Sequence, residues 1–305
     1  MNEAKSLWGI DLGGTKIEAV VLESSSNTQT LGRLRIPTEA AQGYDHIISQ
    51  IAKLIDLLSA ETGSKPDRLG IGTPGALDTH SQTLKNSNTT CLNGKPFKQD
   101  LERVLGIPII IANDANCFAL AETRMGAVAE VLPNAEVVFG VIMGTGVGGG
   151  LIVNGQVING RHAIGGEWGH NFLDASGGKC YCGKVGCVET VLAGPFLQKY
   201  YQSIAGQALP LPEIVARYKQ GNDPHATATM QRLIHFFGLG LSTIINILDP
   251  DAIVLGGGVG NIDLLYTEGV EELKKFVFNP RLDTRILKPK LGDSAGVFGA
   301  ALLVV

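Results

Sequence analysis

Three cysteines and a histidine are the residues whose types and spacing most directly indicate chemistry. Cys180, Cys182 and Cys187 have a C-x-C-x4-C spacing, and His170 lies ten residues before the first of them. Three thiolates and one imidazole complete the tetrahedral ligand set that zinc prefers. Because four protein ligands leave no coordination position open, the pattern predicts a structural zinc site rather than a catalytic one. The alternative is a group of three buried or redox-active cysteines.

Two glutamates lie next to these cysteines in the sequence. Glu167 is three residues before His170, and Glu189 is two residues after Cys187. A zinc site that fixes the loop would also fix both carboxylates, and a carboxylate is a good acceptor for the neighbouring hydroxyls of a sugar. The alternative is that each glutamate is only an ordinary surface charge, and this alternative carries more weight for Glu189.

An aspartate follows a strongly apolar stretch. Asp114 comes directly after 109–112, "IIIA", and Asn113. Phosphoryl transfer to a hydroxyl needs a group that accepts the hydroxyl proton, and a carboxylate at the end of a buried strand suits that role. The alternative is that Asp114 caps a helix beginning at Ala115, a position that aspartate favours. Both roles are compatible, because one oxygen can cap while the other faces a substrate.

Two glycine-rich turns are each flanked by strand-like segments. The first lies in "IDLGGTKIEAVVLE" (10–23), and "GTGVGGG" (144–150) repeats the pattern. Glycine lets the backbone approach a ligand closely, and a tight hairpin can present N–H groups to an anion without a helix. The pattern predicts phosphate binding, with Asp11 able to hold magnesium directly or through water; ordinary hairpin turns are the alternative. The "GGG" at 256–258 would let a nucleotide base or ribose lie against backbone. The predicted contacts are Asp11, Gly13, Gly14, Thr15, Lys16, Gly144, Thr145, Gly146, Gly148, Gly256 and Gly257.

The elements that must position these residues alternate between strands and helices, which predicts an α/β protein. The repeated strand–glycine turn–strand unit indicates two related halves with a cleft, where small-molecule sites commonly form. We place the boundary near Asn113 and Asp114, giving domains 1–114 plus 290–305 and 115–289, the second carrying the cysteine loop. The main predicted elements are strands at 8–11, 17–22, 68–72 and 107–114, a strand–glycine turn–strand unit at 137–155, and helices at 44–61, 115–127 and 225–248, with a further strand before and a helix after the glycines at 256–258.

Composition excludes several classes of protein. The 305 residues are 44% hydrophobic and 18% charged, and the net charge of −4 gives no basic footprint for nucleic acid. No apolar run approaches the roughly 20 residues that span a bilayer, so we expect no membrane partner. The N-terminal stretch enters a strand at once and does not resemble a signal peptide. Clustered cysteines then indicate metal rather than disulfides, and we expect a cytoplasmic protein in which Cys91 and Cys117 are free thiols.

The motifs occur in an order that resembles the ROK family of bacterial sugar kinases and repressors. They are "DLGGTK", "NDANCFALAE", "GTGVGGG", "GGEWGH", "CYCGKVGCVE" and "VLGGG", and the resemblance covers essentially the whole chain. The chain looks most similar to the fructokinase, mannokinase and N-acetylglucosamine kinase members. The resemblance implies an actin-like ATPase fold of two ribonuclease H-like halves, with paired glycine hairpins around the ATP phosphates. A strand after "LGGTK", where nucleotide loops usually open a helix, is therefore expected.

The resemblance also implies roles for individual residues. It makes Asp114 the catalytic base and Asn113 a sugar contact, with Asn88 as a further, looser match. It assigns sugar contacts to Glu167 and Glu189, and to His170 through the ring nitrogen that does not face the metal. It implies ATP and catalytic magnesium, and a structural zinc held by His170, Cys180, Cys182 and Cys187.

The expected function is ATP-dependent phosphorylation of the 6-hydroxyl of fructose, mannose or glucose by a homodimer. N-acetylglucosamine kinase is the main alternative. A sugar-sensing repressor is another, but the phosphate hairpin starts by residue 10, so we expect no preceding winged helix-turn-helix domain. A non-catalytic sugar-binding protein would not need Asp11, Thr15, Lys16 and Asp114 together.

Overall fold

The computed structural model describes residues 5–305, so the first residues of the N-terminal stretch considered above lie outside it. The strands are β1 Leu7–Leu12, β2 Lys16–Leu22, β3 Thr30–Pro37, β4 Leu69–Thr73, β5 Ala76–Leu77, β6 Leu84–Lys85, β7 Ile109–Asn113, β8 Val137–Met143, β9 Val147–Val153, β10 Gln156–Val157, β11 Ala252–Gly256 and β12 Arg285–Leu287. The helices are α1 Tyr44–Thr62, α2 Phe97–Leu105, α3 Asp114–Arg124, α4 Ala127–Val131, α5 Val188–Leu192, α6 Gly194–Ala205, α7 Leu211–Gln220, α8 Pro224–Leu248, α9 Gly257–Gly260, α10 Glu268–Lys274 and α11 Ala295–Leu302.

Two five-stranded sheets have equivalent strand orders. The first is β3-β2-β1-β4-β7, in which β1, β2 and β3 are antiparallel neighbours and β1, β4 and β7 run parallel. The second is β10-β9-β8-β11-β12, in which β8, β11 and β12 run parallel. The hairpins β1–β2 and β8–β9 occupy the same places in the two orders. The repeated strand–glycine turn–strand unit predicted from the sequence is therefore confirmed.

The core of the first sheet forms where the apolar pattern predicts it. Helix α1 buries Ile47, Ile51, Leu54 and Leu58, at the spacing of one helical face. These residues join the β1, β2, β4 and β7 side chains in one hydrophobic cluster. The helix ends at Gly63, whose left-handed conformation (φ 67°) lets its N–H bond back to Ser59.

Sequence reasoning missed strand β3 and misjudged two helices. Strand β3 is an edge strand in which polar and apolar residues alternate, with Arg33 and Arg35 exposed. The helix predicted for 115–127 ends at Arg124, and α4 starts after Gly126, where the Ala127 N–H donates to the buried Glu122 carboxylate (2.8 Å). The helix expected after 256–258 is the short α9.

Helix α11 packs against the first sheet through glycines. A Cβ at Gly9 would lie 2.2 Å from the Ala301 nitrogen, and one at Gly70 would lie 1.8 Å from the Ala300 oxygen. On the other side of the helix, a Cβ at Gly299 would lie 1.8 Å from the Cys117 oxygen. Only glycine permits these backbone contacts, so the C-terminal helix is an integral part of the first sheet's layer.

The chain forms two compact units. The first extends to Ala129 and includes 150–165 and 291–305; the second contains 130–149 and 166–290. These bounds differ from the domains drawn from sequence, because α3 lies in the first unit. The physical reason is its packing on α11 and β4, which a boundary placed at the strand end ignores.

Helix α8 is long and apolar enough to cross a bilayer by length and composition. This differs from the expectation that no such segment exists. Half of its most apolar window is buried within the protein, where it packs on α6, α7 and α10. A core helix of a folded domain has these properties too, so the helix is weak evidence for a membrane span.

Candidate functional site

The four predicted metal ligands converge in the second unit. One ligand atom from each of His170, Cys180, Cys182 and Cys187 can be chosen so that all four lie within 4.8 Å of one another. The Cys182 and Cys187 sulfurs are 3.6 Å apart, and the Cys180 sulfur is 3.6 Å from His170 Nδ1. Two sulfurs each about 2.3 Å from a shared tetrahedral zinc would be about 3.8 Å apart. The donor set and its spacing therefore fit zinc.

Backbone hydrogen bonds shape the cysteine loop. The Cys180 N–H donates to the Lys184 oxygen (2.8 Å), and the Gly186 N–H donates to the Gly178 oxygen (2.9 Å). Gly186 has φ 76°, and a Cβ there would lie 2.6 Å from the Asp174 oxygen. Glycine at this position lets the loop turn back so that Cys187 rejoins the other ligands.

Glu189 is not a surface charge. It is 8% exposed, in the first turn of α5, which begins directly after Cys187. Its Oε2 accepts a hydrogen bond from the Val147 N–H (3.0 Å), and its Oε1 lies 4.0 Å from the Cys180 sulfur. A Cβ at Gly146 would lie 2.6 Å from Oε2. The glutamate thus joins the cysteine loop to the second glycine hairpin, a contact that sequence reasoning missed.

Tyr181 is a further residue that sequence reasoning missed. Its hydroxyl lies 2.9 Å from His170 Nε2, and the two rings meet edge to face at 5.1 Å. Burial, followed by the charges of Glu189 and Glu167, raises the pKa of Tyr181 to about 12, although the side chain as a whole is 77% exposed. In the sequence, the feature that could have pointed to Tyr181 is its position between the predicted metal ligands Cys180 and Cys182.

Glu167 lies beside this group and is partly buried. Burial raises its pKa, the nearby Glu189 raises it further, and His170 opposes the shift. His170 itself is placed by a short 3-10 turn, Trp168–His170, for which Glu167 is the preceding residue. Glu167 is near enough to His170 and Glu189 to be influenced by their charges, and the two carboxylates can accept hydrogen bonds from hydroxyl groups.

Hydrogen bonds within the turn and from Thr38 stabilise the first glycine hairpin. The Gly13 N–H donates to the Lys16 oxygen (2.9 Å), which closes the turn between β1 and β2. Thr38 donates from its N–H to the Thr15 oxygen (3.0 Å) and from its hydroxyl to the Gly13 oxygen (2.6 Å). Gly14 and Thr15 remain exposed. The turn is therefore a rigid, exposed loop of the kind that can bind an anion, and Thr38 was not predicted.

Asp11 and Asp114 influence each other within the first unit. Burial, followed by the charges of Asp114 and Glu18, raises the pKa of Asp11 to about 7. A Cβ at Gly296 would lie 2.9 Å from Asp11 Oδ2, so glycine there admits the carboxylate beside α11. Two neighbouring carboxylates suit a divalent cation, which favours their ionised forms. The donor chemistry fits magnesium.

Asn113, rather than Asp114, is the cap of helix α3. The Ala115 N–H lies 2.8 Å from both Asn113 Oδ1 and Asp114 Oδ1, and the helix begins at Asp114. The Asn113 amide also donates to the Gly75 oxygen (3.2 Å). Asp114 is exposed in the first helical turn. The alternative in which Asp114 serves only as a cap therefore loses its main support, because Asn113 fills that role.

Asn88 lies in a loop next to this strand end. Its neighbour Ser87 is held by Asn93, whose Oδ1 accepts from the Ser87 N–H (2.8 Å). A Cβ at Gly75 would lie 2.7 Å from the Ser87 nitrogen. Gly75 thus contacts both the Asn88 loop and Asn113, and Asn88 itself is exposed.

A cavity of about 550 Å³ opens beside the second glycine hairpin. Gly256 is buried at the end of β11, and Gly257 (φ 79°) packs on the Met143 backbone, so the glycine that faces the cavity is Gly258. Gly148 lies within β9. The lining includes Gly144, Thr145, Gly194, Gln198, Leu211, Val215, Lys219, Gly258, Val259 and Asn261. A larger cavity, of about 640 Å³, contains none of the predicted site residues.

The model of the ROK family matches residues 7–305. The chain belongs to the ROK family. It is 36% identical to N-acetyl-D-glucosamine kinase of Escherichia coli O157:H7 over 306 aligned positions, covering 97% of this chain and 98% of the relative.

Solved structures agree with this assignment. The ROK hexokinase from Thermus thermophilus is 30% identical with a TM-score of 0.87, covering 98% of this chain and 97% of that one. A ROK glucokinase from Streptomyces griseus, solved with glucose and AMPPNP, is 27% identical with a TM-score of 0.77, covering 98% and 99%. The chain therefore has the actin-like ATPase fold, as expected, and is a sugar kinase.

Proposed function

We propose that this kinase transfers the γ-phosphate of ATP to the 6-hydroxyl of a sugar, with N-acetyl-D-glucosamine as the first acceptor to test. The observation that carries this choice is the 36% identity, over almost the full length of both chains, to an N-acetyl-D-glucosamine kinase. The sequence alone favoured fructose, mannose or glucose, with N-acetylglucosamine as the alternative.

Unsubstituted hexoses are the second candidate acceptors. The hexokinase from Thermus thermophilus is 30% identical, and the Asn88 stretch, "NSNTTCLNGKPF", resembles the fructokinase and mannokinase members. A pocket discriminates a bulkier substituent by shape less sharply than it discriminates a missing hydroxyl. Activity on more than one sugar is therefore expected.

Catalysis is assigned to the two carboxylates of the first unit. Asp114 accepts the proton of the attacking 6-hydroxyl, a role for which its exposed position suits it. Asp11 would hold magnesium, which when bound neutralises charge on the transferring phosphoryl group. The amides of the hairpins at 13–16 and 144–146 bind the phosphates, and the cavity next to Gly258 receives the rest of the nucleotide.

Sugar binding is assigned to Glu167, His170 and Glu189 and, by the family resemblance, to Asn113 and Asn88. His170, Cys180, Cys182 and Cys187 would hold a structural zinc that fixes both glutamates. The expected partners are ATP and the sugar, and we expect a cytoplasmic homodimer.

A coupled ATP assay tests the proposal. kcat/KM is measured for N-acetylglucosamine, glucose, mannose and fructose, with 6-deoxyglucose as the control. We expect the highest value with N-acetylglucosamine and no phosphorylation of the 6-deoxy sugar. A higher value with a hexose would replace the first acceptor by the second. Phosphorylation of 6-deoxyglucose would reject the assigned hydroxyl, and ATP turnover independent of all four sugars would reject the kinase assignment.

A further inference from the structure

A buried threonine next to the first glycine hairpin has no hydrogen-bond partner for its hydroxyl. Thr89 is 5% exposed, and its Oγ1 makes no hydrogen bond within the part of the chain that the structure describes. A hydroxyl can donate one hydrogen bond and accept two, and burying it without a partner costs free energy. An orphaned buried hydroxyl therefore calls for a specific reason, such as a role in ligand binding.

The position of Thr89 in its loop would normally engage this hydroxyl. Thr89 precedes a 3-10 turn, Thr90–Leu92, and a threonine at such an N-cap position commonly accepts a hydrogen bond from the backbone that follows. Here the side chain forms no cap. The backbone is fixed instead, because the Thr89 N–H donates to Ser87 Oγ (3.1 Å) and the Leu92 N–H donates to the Thr89 oxygen (3.0 Å). The loop thus holds Thr89 in place while leaving its hydroxyl uncommitted.

The hydroxyl lies beside the turn that is proposed to bind phosphate. A Cβ at Gly14 would lie 3.4 Å from Thr89 Oγ1. Gly14 is exposed, and Thr38 holds the carbonyl oxygens on either side of it, those of Gly13 and Thr15. Because glycine carries no side chain, the backbone of the turn and the Thr89 hydroxyl can contact the same anion.

We propose that the Thr89 hydroxyl donates a hydrogen bond to a phosphate oxygen of the nucleotide bound at the turn 13–15. This inference rests on the proposed function. The hydroxyl oxygen is buried beside the turn, so the contact forms when the Gly14 backbone shifts around the bound phosphate. A phosphate suits this place because a charged acceptor strengthens the hydrogen bond from a hydroxyl. The preceding residue, Asn88, is a proposed sugar contact, so adjacent residues of one loop would serve the two substrates.

Thr89→Val tests the inference, because valine has nearly the same shape and lacks the hydroxyl. Loss of a hydrogen bond to a charged group predicts nucleotide binding weaker by about 10- to 100-fold. The nucleotide-free protein should not lose stability, since the change removes a buried hydroxyl that has no partner there. Thr89→Ser keeps the hydroxyl and should retain most of the affinity. Thr90→Val is the matched control, at an exposed position one residue further along the same loop.

Four quantities are measured for the wild type and the three variants. They are the Kd of AMPPNP with magnesium, the Kd of the best wild-type sugar without nucleotide, the KM for ATP, and the free energy of unfolding in urea without nucleotide. We expect Thr89→Val to raise the AMPPNP Kd and the KM for ATP about 10- to 100-fold, with the sugar Kd unchanged and the free energy of unfolding at or above the wild-type value. Thr89→Ser should stay close to the wild type, and Thr90→Val should change none of the four.

Unchanged AMPPNP binding by Thr89→Val would overturn the inference, because the hydroxyl would then serve at most a trapped water molecule. Weaker binding of the sugar alone would also overturn it, since the hydroxyl would then belong to the sugar site with Asn88. A destabilised nucleotide-free Thr89→Val would likewise overturn it, because the hydroxyl would then support the fold. Failure of the proposed function looks different: the wild type itself would bind no AMPPNP and phosphorylate none of the four sugars.

Discussion

Replacing Asp11 by Asn should stabilise the protein while abolishing its activity. The carboxylate lies near the end of β1, where burial and the charges of Asp114 and Glu18 raise its pKa from the ordinary 3.8 to about 7. The ionised form is therefore disfavoured by folding. Asparagine keeps the shape of the side chain and carries no charge, so it removes this penalty.

The size of the effect follows from the pKa difference. About 3 pKa units at 1.36 kcal/mol each correspond to about 4 kcal/mol at pH 8. Between the two pKa values the folded state holds a proton that the unfolded state has lost, so the stability of the wild type falls as pH rises through this window. At pH 4, near the unfolded pKa, the penalty is below about 1 kcal/mol.

Urea unfolding at pH 4, 6 and 8 measures this, with chelator present and no nucleotide, so that no cation occupies the carboxylates. The control is Asp56→Asn, at an exposed position on α1 in the same unit. We expect Asp11→Asn to raise the free energy of unfolding by up to about 4 kcal/mol at pH 8, with the gain shrinking towards pH 4, and the control to show no such trend.

Two results would refute the reasoning. If Asp11→Asn is no more stable than the wild type at pH 8, folding does not disfavour the ionised form of the Asp11 carboxylate. If the gain is the same at pH 4 and pH 8, its origin is not the charge. Loss of phosphorylation alone would not distinguish these cases, which is why stability is the readout.

The remaining predictions concern the other charged and metal-binding residues. Asp114→Asn should lower kcat at least ~10²-fold, the usual contribution of a positioned base, with sugar Kd by calorimetry nearly unchanged; near-normal turnover would rule out the base. Cys182→Ser, or strong chelation, should lower both stability and activity, and metal analysis should give about one zinc per chain; a zinc-free, fully active protein would contradict this. Glu189→Gln should raise KM for both ATP and the sugar, because the carboxylate contacts the Val147 N–H as well as the cysteine loop; a change confined to the sugar would show that the hairpin contact is unimportant.

Local patterns were the most predictable part of this chain. The two glycine hairpins follow from apolar runs that flank glycines, and the metal ligands from cysteine spacing, because each pattern fits within about 20 residues. Strand β3 also carries a local signal, the alternation of Arg33 and Arg35 with Leu34 and Ile36.

Contacts between distant segments were not predictable from one sequence. Nothing in the local sequence indicates that Thr38 holds the turn at Gly13, or that Glu122 caps the start of α4. The place of α3 in the first unit depends on Gly299, which admits the Cys117 backbone. Such contacts are set by the packing of whole helices on sheets, whereas motif spacing describes only neighbours along the chain.

The position of Glu189 explains why a structural metal would lie where it does. A glutamate that is 8% exposed needs a partner: its Oε2 accepts a hydrogen bond from the Val147 N–H at 3.0 Å, and its Oε1 lies 4.0 Å from the Cys180 sulfur. Buried carboxylates are costly unless hydrogen-bonded. A loop of cysteines without metal would leave one side of this carboxylate loosely placed, and through Val147 it would loosen the hairpin at 144–146. The four proposed zinc ligands would thus also help to place a charge between the proposed sugar contacts and the proposed phosphate-binding turn.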